Sequence, residues 1–502
     1  MSRETFSVAG LLAALVVLAA GSARAGSDSG AYSTVIQPNG KIVAAGWGER
    51  GTQRVFGLAR YEKNGALDTG FGLRGKVTTP IGVKARAGGL ALQADGKIVA
   101  AGYAGSGFAL ARYTSKGTLD AGFGKGGAVR TAFGSSPSEA EAVAIQANGR
   151  IVAAGAILKK STRTGAGFAL VRYRANGSLD TSFGADGKVT TTIDSGGAAS
   201  ALAIQPDGKI VVAGSSSGKF ALARYNPEGS LETSFGTGGT VLTSIGTGSA
   251  AANALALQPD GKIVAVGSAR SSVGVPPTSE DSFALARYKP DGSLDMVSST
   301  IFIPFECDLC SAGANAVALQ PDGKLVLAGQ VYDGSSSRGE FALARYEPDG
   351  SADTSFGSGG VVRTSFGFPE PANGTSGDVA AALGLQSDGK ILAAGYSQFG
   401  PHTEQYLFAL ARYRANGSLD TSFGKGGKVN TSVAFCVVPN VKGQKLVHAT
   451  GNIRRAHCGL GKVKTAFSSK VKRKHVISQK PSPKKLLAEG AKVSLVVSRG
   501  RR

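Results

Sequence analysis

Few residues in this chain have the types and spacing that do chemistry. Cys307-Asp-Leu-Cys310 has the Cys-x-x-Cys spacing of a redox pair or half a metal site. No histidine and no second Cys-x-x-Cys stands near it in sequence, so a small loop disulfide is the expectation. The four histidines are His402, His448, His457 and His475, and three of them follow the last repeat. Their spacing makes no zinc motif, no Ser/His/Asp set can be placed, and no phosphate loop is present. Asp68, Asp120, Asp180, Asp353 and Asp420 look like an acidic ring, but each occupies the same place in a repeat, which points to turn capping. Glu280-Asp281 is a neighbouring carboxylate pair of the kind usually left solvated. These residues imply no catalytic group, no metal and no cofactor.

The repeat sets the frame for everything else. Phe-Ala-Leu-Ala-Arg-Tyr stands intact at Phe108–Tyr113, Phe220–Tyr225, Phe283–Tyr288, Phe341–Tyr346 and Phe408–Tyr413, with single changes at Phe56–Tyr61 and Phe168–Tyr173. Each copy follows a stretch like Gln205-Pro-Asp-Gly-Lys-Ile-Val-Val-Ala-Gly214, and most precede one like Ser178-Leu-Asp-Thr-Ser-Phe-Gly184. The leading glutamines, Gln37 to Gln386, are 53 to 66 residues apart. A unit of this length buries its apolar faces only against its neighbours.

Each unit divides into four strand-length pieces. In the fourth copy they are Ala201–Gln205, Lys209–Ala213, Phe220–Tyr225 and Thr240–Ser244. Asp or Asn before Gly supplies the tight turn between the first two. Alternation puts Phe, Leu and Arg of the third piece on one side, and Ala, Ala and Tyr on the other. Four short antiparallel strands repeated seven times predict an all-β seven-bladed β-propeller; an open β-solenoid would want shorter rungs. Closure by whole blades or by a swapped strand are both open at this point. The three strings resemble the delta-60 repeat of exported bacterial proteins over residues 31–433. That resemblance implies architecture and compartment, and no particular activity.

Loop lengths separate two faces of the ring. The first hairpin and the step from the third strand to the fourth keep constant lengths, whereas the gap between second and third strands runs from five residues (Tyr103–Gly107) to fifteen (Ser268–Ser282). Function concentrates in variable loops on a rigid scaffold. The variable loops carry Trp47, Tyr103, Tyr332, Tyr396, Phe399 and Tyr406. Exposed there, they could stack on sugar or grip a protein; the alternative is local loop packing.

The two ends differ from the repeats. An apolar run from Val8 to Ala20 before Ala23-Arg24-Ala25 reads as a signal peptide over 1–25, cut before Gly26. Thirteen apolar residues are short for a membrane span of about 20. The repeat domain then takes residues 26–433. From Cys436 to Arg502 the chain carries 17 basic residues and one acid, so +16 of its net +22 sits in the last 67 residues. Such a segment suits an anionic polymer, and export argues against nucleic acid.

A small α+β domain is expected over 436–502. A helix is predicted at Gln444–His457, with strands at Lys462–Ser468, His475–Gln479 and Lys492–Ser498. Cys436 and Cys458 bracket the helix and are expected to pair, as Cys307 and Cys310 are. Val438-Pro-Asn-Val-Lys-Gly443, Val476-Ile-Ser-Gln-Lys-Pro-Ser-Pro483 and Gly490-Ala-Lys-Val-Ser-Leu-Val-Val-Ser498 resemble a PASTA domain. The resemblance implies cell-wall peptidoglycan, or another anionic wall polymer, as partner. Lys470, Lys472, Arg473 and Lys474 cluster between two predicted strands as contact candidates. The expectation is an exported or wall-associated, non-enzymatic scaffold, with an extracellular protein or glycan on the propeller and no membrane span in the mature chain. An extracellular enzyme acting on a polymer at the channel mouth, and a purely structural surface protein, are the alternatives.

Overall fold

The computed structural model describes residues 30–501, apart from 52, 274–277, 296–309, 334–337, 368–375 and 400–404. The leader at 1–25, Cys307 and His402 lie outside the described residues, as do the side chains of Glu280 and Phe399.

Seven sets of antiparallel strands follow one another at 31–79, 86–131, 138–191, 198–243, 250–288, 310–364 and 376–431, the last two joined into one sheet by a short parallel pairing of Arg338 with Ser376 and Gly339 with Gly377. Blade 4 shows the pattern: Ala198–Ile204, Ile210–Ser216, Lys219–Tyr225 and Thr240–Thr243 pair in that order. Each overlaps its predicted segment. Gly208 takes φ +86° in the first turn, the left-handed conformation that Asp-Gly supplies. Blade 5 has three strands among the described residues, and the chain beyond Asp295 falls in the undescribed segment.

Apolar packing runs from blade to blade. Phe108 and Leu110 of blade 2 bury against Ala169, Val171 and Tyr173 of blade 3, as the alternation predicts. The Tyr173 and Thr131 hydroxyls then bond across the joint at 2.7 Å. Burying one Phe or Leu contributes roughly 1.5–3 kcal/mol. The ring closes in the same way, with Ala31, Ala59 and Tyr61 of blade 1 sharing a core with Leu392, Phe408 and Phe423 of blade 7. Among the described residues every blade uses strands of a single repeat, so closure is by whole blades.

A polar latch repeats at every joint. The arginine of the third strand donates from Nε to the carboxylate eight residues on, at 2.6–2.9 Å. Its Nη1 donates to a backbone carbonyl of the next blade: Arg60 to Ser115, Arg112 to Ala175, Arg172 to Pro227, Arg224 to Pro290, Arg287 to Pro348, Arg345 to Ala415, and Arg412 to Lys63. The seventh bond returns to blade 1. Six of these guanidinium groups also lie 4.4–4.7 Å over the Phe of their own blade's turn. A buried arginine is costly unless its donors are used, and here they are used at each joint.

The C-terminal domain places strand Lys492–Ser498 between Gly459–Ala466 and Val476–Lys480, with helix Leu446–Arg455 packed on the sheet. The helix is shorter than predicted at both ends. Lys445 precedes it without a side-chain cap, since an ammonium cannot accept from the first amides. Two further short strands escaped the sequence reading. Ala434–Val437 runs parallel to the end of blade 1's second strand, with Glu49 opposite Ala434 and Arg50 opposite Phe435. It also pairs antiparallel with Leu486–Ala488. The two domains therefore share one sheet. The expected Cys436–Cys458 disulfide is present, with Cα atoms 4.7 Å apart. Cys310 is disulfide-bonded as well.

Candidate functional site

The recurrent aspartates are structural. One oxygen of Asp353 accepts the Ser355 N–H at 3.1 Å and caps the turn, while the other takes Arg345 Nε at 2.6 Å and Lys324 Nζ at 2.8 Å. Burial alone would raise this carboxyl, but the Lys324, Ser355 and Arg345 bonds hold it well below the carboxylate range. Asp68, Asp120, Asp180 and Asp420 make the same capping and arginine contacts.

A second sevenfold feature faces the central channel. The innermost strand of every blade bulges opposite a glycine within the second strand. The extra residues are Tyr32, Gly88, Glu141, Ser200, Asn253, Asn315 and Ala381. The glycines opposite are Gly46, Gly102, Gly155, Gly214, Gly267, Gly329 and Gly395. A Cβ on any of them would run into a backbone carbonyl of the bulged strand. A bulge re-aims a side chain. Here it sets apart a largely buried position whose residue type changes from blade to blade, whereas the residue just before it is alanine in every blade. The glycine that recurs in each second strand was the sequence signal for it.

The bulge ring is closed on one side and open on the other. On the closed side Arg86 Nη2 donates to Glu141 Oε1 at 2.5 Å, both residues buried, with the guanidinium 4.4 Å from the Tyr32 ring and 5.3 Å from Tyr103. Gly88 makes room for this pair, because a Cβ there would lie 2.8 Å from Glu141 Oε2. On the open side a cavity of about 430 Å³ lies at the variable face, lined among others by Tyr32, Asn253, Asn315, Ala381 and Tyr396. Asn253 Nδ2 donates to the Ala314 carbonyl at 2.9 Å, and Asn315 Nδ2 to Gln330 Oε1 and the Ala380 carbonyl.

The predicted aromatics are only partly brought together. Tyr396 stands 6.0 Å from Tyr32 and 6.0 Å from Tyr406, so these two candidates meet at the channel mouth. Tyr103 is half-buried beside Arg86, and Tyr332 is half-buried opposite Ser311. Trp47 follows the local-packing alternative: it is 9% exposed, with the Arg54 guanidinium 4.6 Å over its ring.

The basic cluster lies on the C-terminal domain. Lys470, Lys472, Arg473 and Lys474 are all exposed. Arg473 and Lys474 edge a groove of about 1050 Å³ that also takes in Lys445, His475 and Arg499, over a floor that includes Val447, Phe467 and Val497. Val447 and Phe467 are 69% and 49% exposed, an uncommon degree for large apolar side chains. Arg499 lies 5.1 Å over the Phe467 ring. The domain's single acid, Glu489, is 4.0 Å from His457 at the junction with the propeller. Phe467 and Arg499 went unnoticed in the sequence because strand pairing alone brings them to Arg473.

Comparison with known proteins agrees with this organisation. Residues 37–71, 93–123, 146–183, 205–235, 258–296, 320–356 and 386–423 match the family described as a domain of unknown function (DUF5122) beta-propeller, and 437–499 match the PASTA domain. No curated protein matches the chain. A solved protein from Lactobacillus plantarum is 14% identical, over 78% of this chain and 97% of its own, with a TM-score of 0.47. Virginiamycin B lyase from Staphylococcus aureus with quinupristin is 10% identical, over 67% and 87%, at 0.38. A PL25 ulvan lyase bound to its saccharide is 10% identical, over 72% and 94%, at 0.37. Likenesses this distant carry no argument about activity. The chain belongs to the DUF5122 β-propeller family, with seven repeats followed by a PASTA domain.

Proposed function

We propose that this protein is an exported, non-enzymatic binding scaffold. The propeller presents its variable face to an extracellular partner, and the C-terminal domain holds the protein to an anionic cell-wall polymer such as peptidoglycan. The observation that carries this reading is the groove of the C-terminal domain, where basic side chains rim exposed apolar surface. A wall polymer offers both matching features, carboxylates and sugar-ring carbon. Two disulfide-bonded sites and an N-terminal leader reading support export. The recurrent carboxylates support a non-enzymatic role, since each is committed to an arginine.

A second reading, an enzyme working on a polymer at the channel mouth, has the non-repeated Glu141 and Asp281 in its favour. Both are held by arginine, Glu141 by Arg86 at 2.5 Å and Asp281 by Arg270 at 3.1 Å, which suits a structural use better. The test is sedimentation of the full chain with purified cell wall, beside a variant with Arg473, Lys474 and Arg499 changed to Gln. Loss of most pelleting in the variant supports the tether, and unchanged pelleting rejects it.

A further inference from the structure

We propose that the open side of the bulge ring is a binding site for an uncharged saccharide. The inference rests on the propeller being the partner-facing half of the scaffold, and it names the class of that partner. Sevenfold symmetry would make the ring uniform, yet the bulge position carries six residue types in seven blades. The residue just before the bulge is alanine in all seven blades, from Ala31 to Ala380, and is buried in each. Variation at a position that lines the channel cavity, next to an alanine that never changes, is what a specificity ring requires.

The lining selects the ligand. Asn253, Asn315 and Gln330 bring carboxamides, Ser268 and neighbouring serines bring hydroxyls, and Tyr32 with Tyr396 forms an aromatic wall. The Nδ2 groups of Asn253 and Asn315 are spent on the wall of the cavity itself, which turns their Oδ1 acceptors to an occupant. An apolar occupant would leave these groups unmatched. An ionic one would find no countercharge, because the lining carboxylate Asp281 is already held by Arg270 at 3.1 and 3.4 Å. A sugar offers hydroxyls that donate and accept on one edge and C–H surface for tyrosine on its faces. The volume, about 430 Å³, lies at the small end of ligand pockets, which span about 300–1,000 Å³. It suits one or two sugar rings, such as the end of a chain.

The test is binding of labelled full-length protein to an array of neutral and uronate-containing oligosaccharides. Two variants accompany it. Asn315→Ala removes a carboxamide, and Ala381→Leu fills the cavity without touching a hydrogen bond. The expected result is retention of neutral glycans that falls at least tenfold in both variants, with Ala381→Leu at unchanged melting temperature, while any uronate retained by the basic groove stays the same in parent and variants. Ala381→Leu keeps the test decisive if Asn315→Ala fails to fold. Absence of neutral-glycan binding, or equal binding by parent and Ala381→Leu, overturns the proposal. Wall sedimentation of the same variants should stay at the parental level. A failed array beside intact sedimentation thus rejects the saccharide site alone, whereas loss of wall retention in the basic-groove variant bears on the tether.

Discussion

Arg412 in blade 7 donates to the backbone carbonyl of Lys63 in blade 1, a residue 349 positions earlier in the chain. The same side chain holds Asp420 at 2.8 Å and lies 4.7 Å over Phe423. Ring closure therefore uses the joint that connects every other pair of blades. Removing one partner of a buried ion pair costs about 3–5 kcal/mol. Arg412→Ala should destabilise the propeller by that amount in chemical denaturation, and Arg345→Ala, at an interior joint, should match it. Arg412→Lys should not rescue, because one ammonium cannot reproduce the guanidinium fork. A loss below about 1 kcal/mol would deny the latch a role in closure.

Two glycines should respond to alanine in opposite directions. Gly214 lies opposite the bulge in blade 4, where a Cβ meets the Ala198 carbonyl. Gly214→Ala should cost about 1–3 kcal/mol by forcing backbone apart. Gly451 sits inside the C-terminal helix with open space around it. Gly451→Ala should stabilise by about 0.5–1 kcal/mol. Thermal unfolding of both variants checks the pair, and a neutral Gly214→Ala would contradict the account of the bulge.

The junction between the domains should be sensitive to pH. His457 Nε2 meets Glu49 Oε2 of blade 1 at 2.5 Å, beside Glu489 at 4.0 Å. The Glu49 hydrogen bond holds the imidazole above its ordinary pKa of 6.5, against partial burial. A raised folded pKa means that the stabilisation is complete below pH 6.5 and is lost as pH rises through the higher folded value. Limited proteolysis near Ala434–Val437 should accelerate over that window. Glu49→Gln should flatten the profile and weaken docking by about 1 kcal/mol, the scale of a partly exposed pair. A proteolysis rate independent of pH in the parent would remove His457 from the junction.

The repeat made most of the fold legible. Seven copies of Phe-Ala-Leu-Ala-Arg-Tyr locate seven third strands, and constant turn lengths locate their neighbours. Less legible was partnership between repeated residues. Arg60 and Asp68 are visibly eight apart in sequence, as are Arg412 and Asp420, but the carbonyl each arginine reaches belongs to the next unit. The bulge residues were hidden for a related reason, since a bulge is a relation between two strands. The shared sheet through Ala434–Val437 rests on pairing with strands far away in sequence, and a four-residue strand has no periodicity of its own. At the site, exposure decided the outcome: Tyr396 and Tyr406 gather at the channel mouth, whereas Arg54 covers Trp47.

The tether is tested most directly by wall sedimentation across a salt series. The full-length protein is compared with a full-length variant carrying Gln at Lys470, Lys472, Arg473 and Lys474. All four residues are exposed, so the substitutions should leave the fold intact. Charge contacts at a surface are screened beyond about 8–10 Å at ordinary salt. The parent should pellet strongly at low salt and release in part as salt rises, keeping the fraction that the apolar floor of Val447 and Phe467 supplies. The variant should lose most of the low-salt retention and keep only the salt-independent fraction that the apolar floor supplies. Equal retention of parent and variant throughout the series would contradict the tether and leave the propeller as the wall-binding part of the molecule.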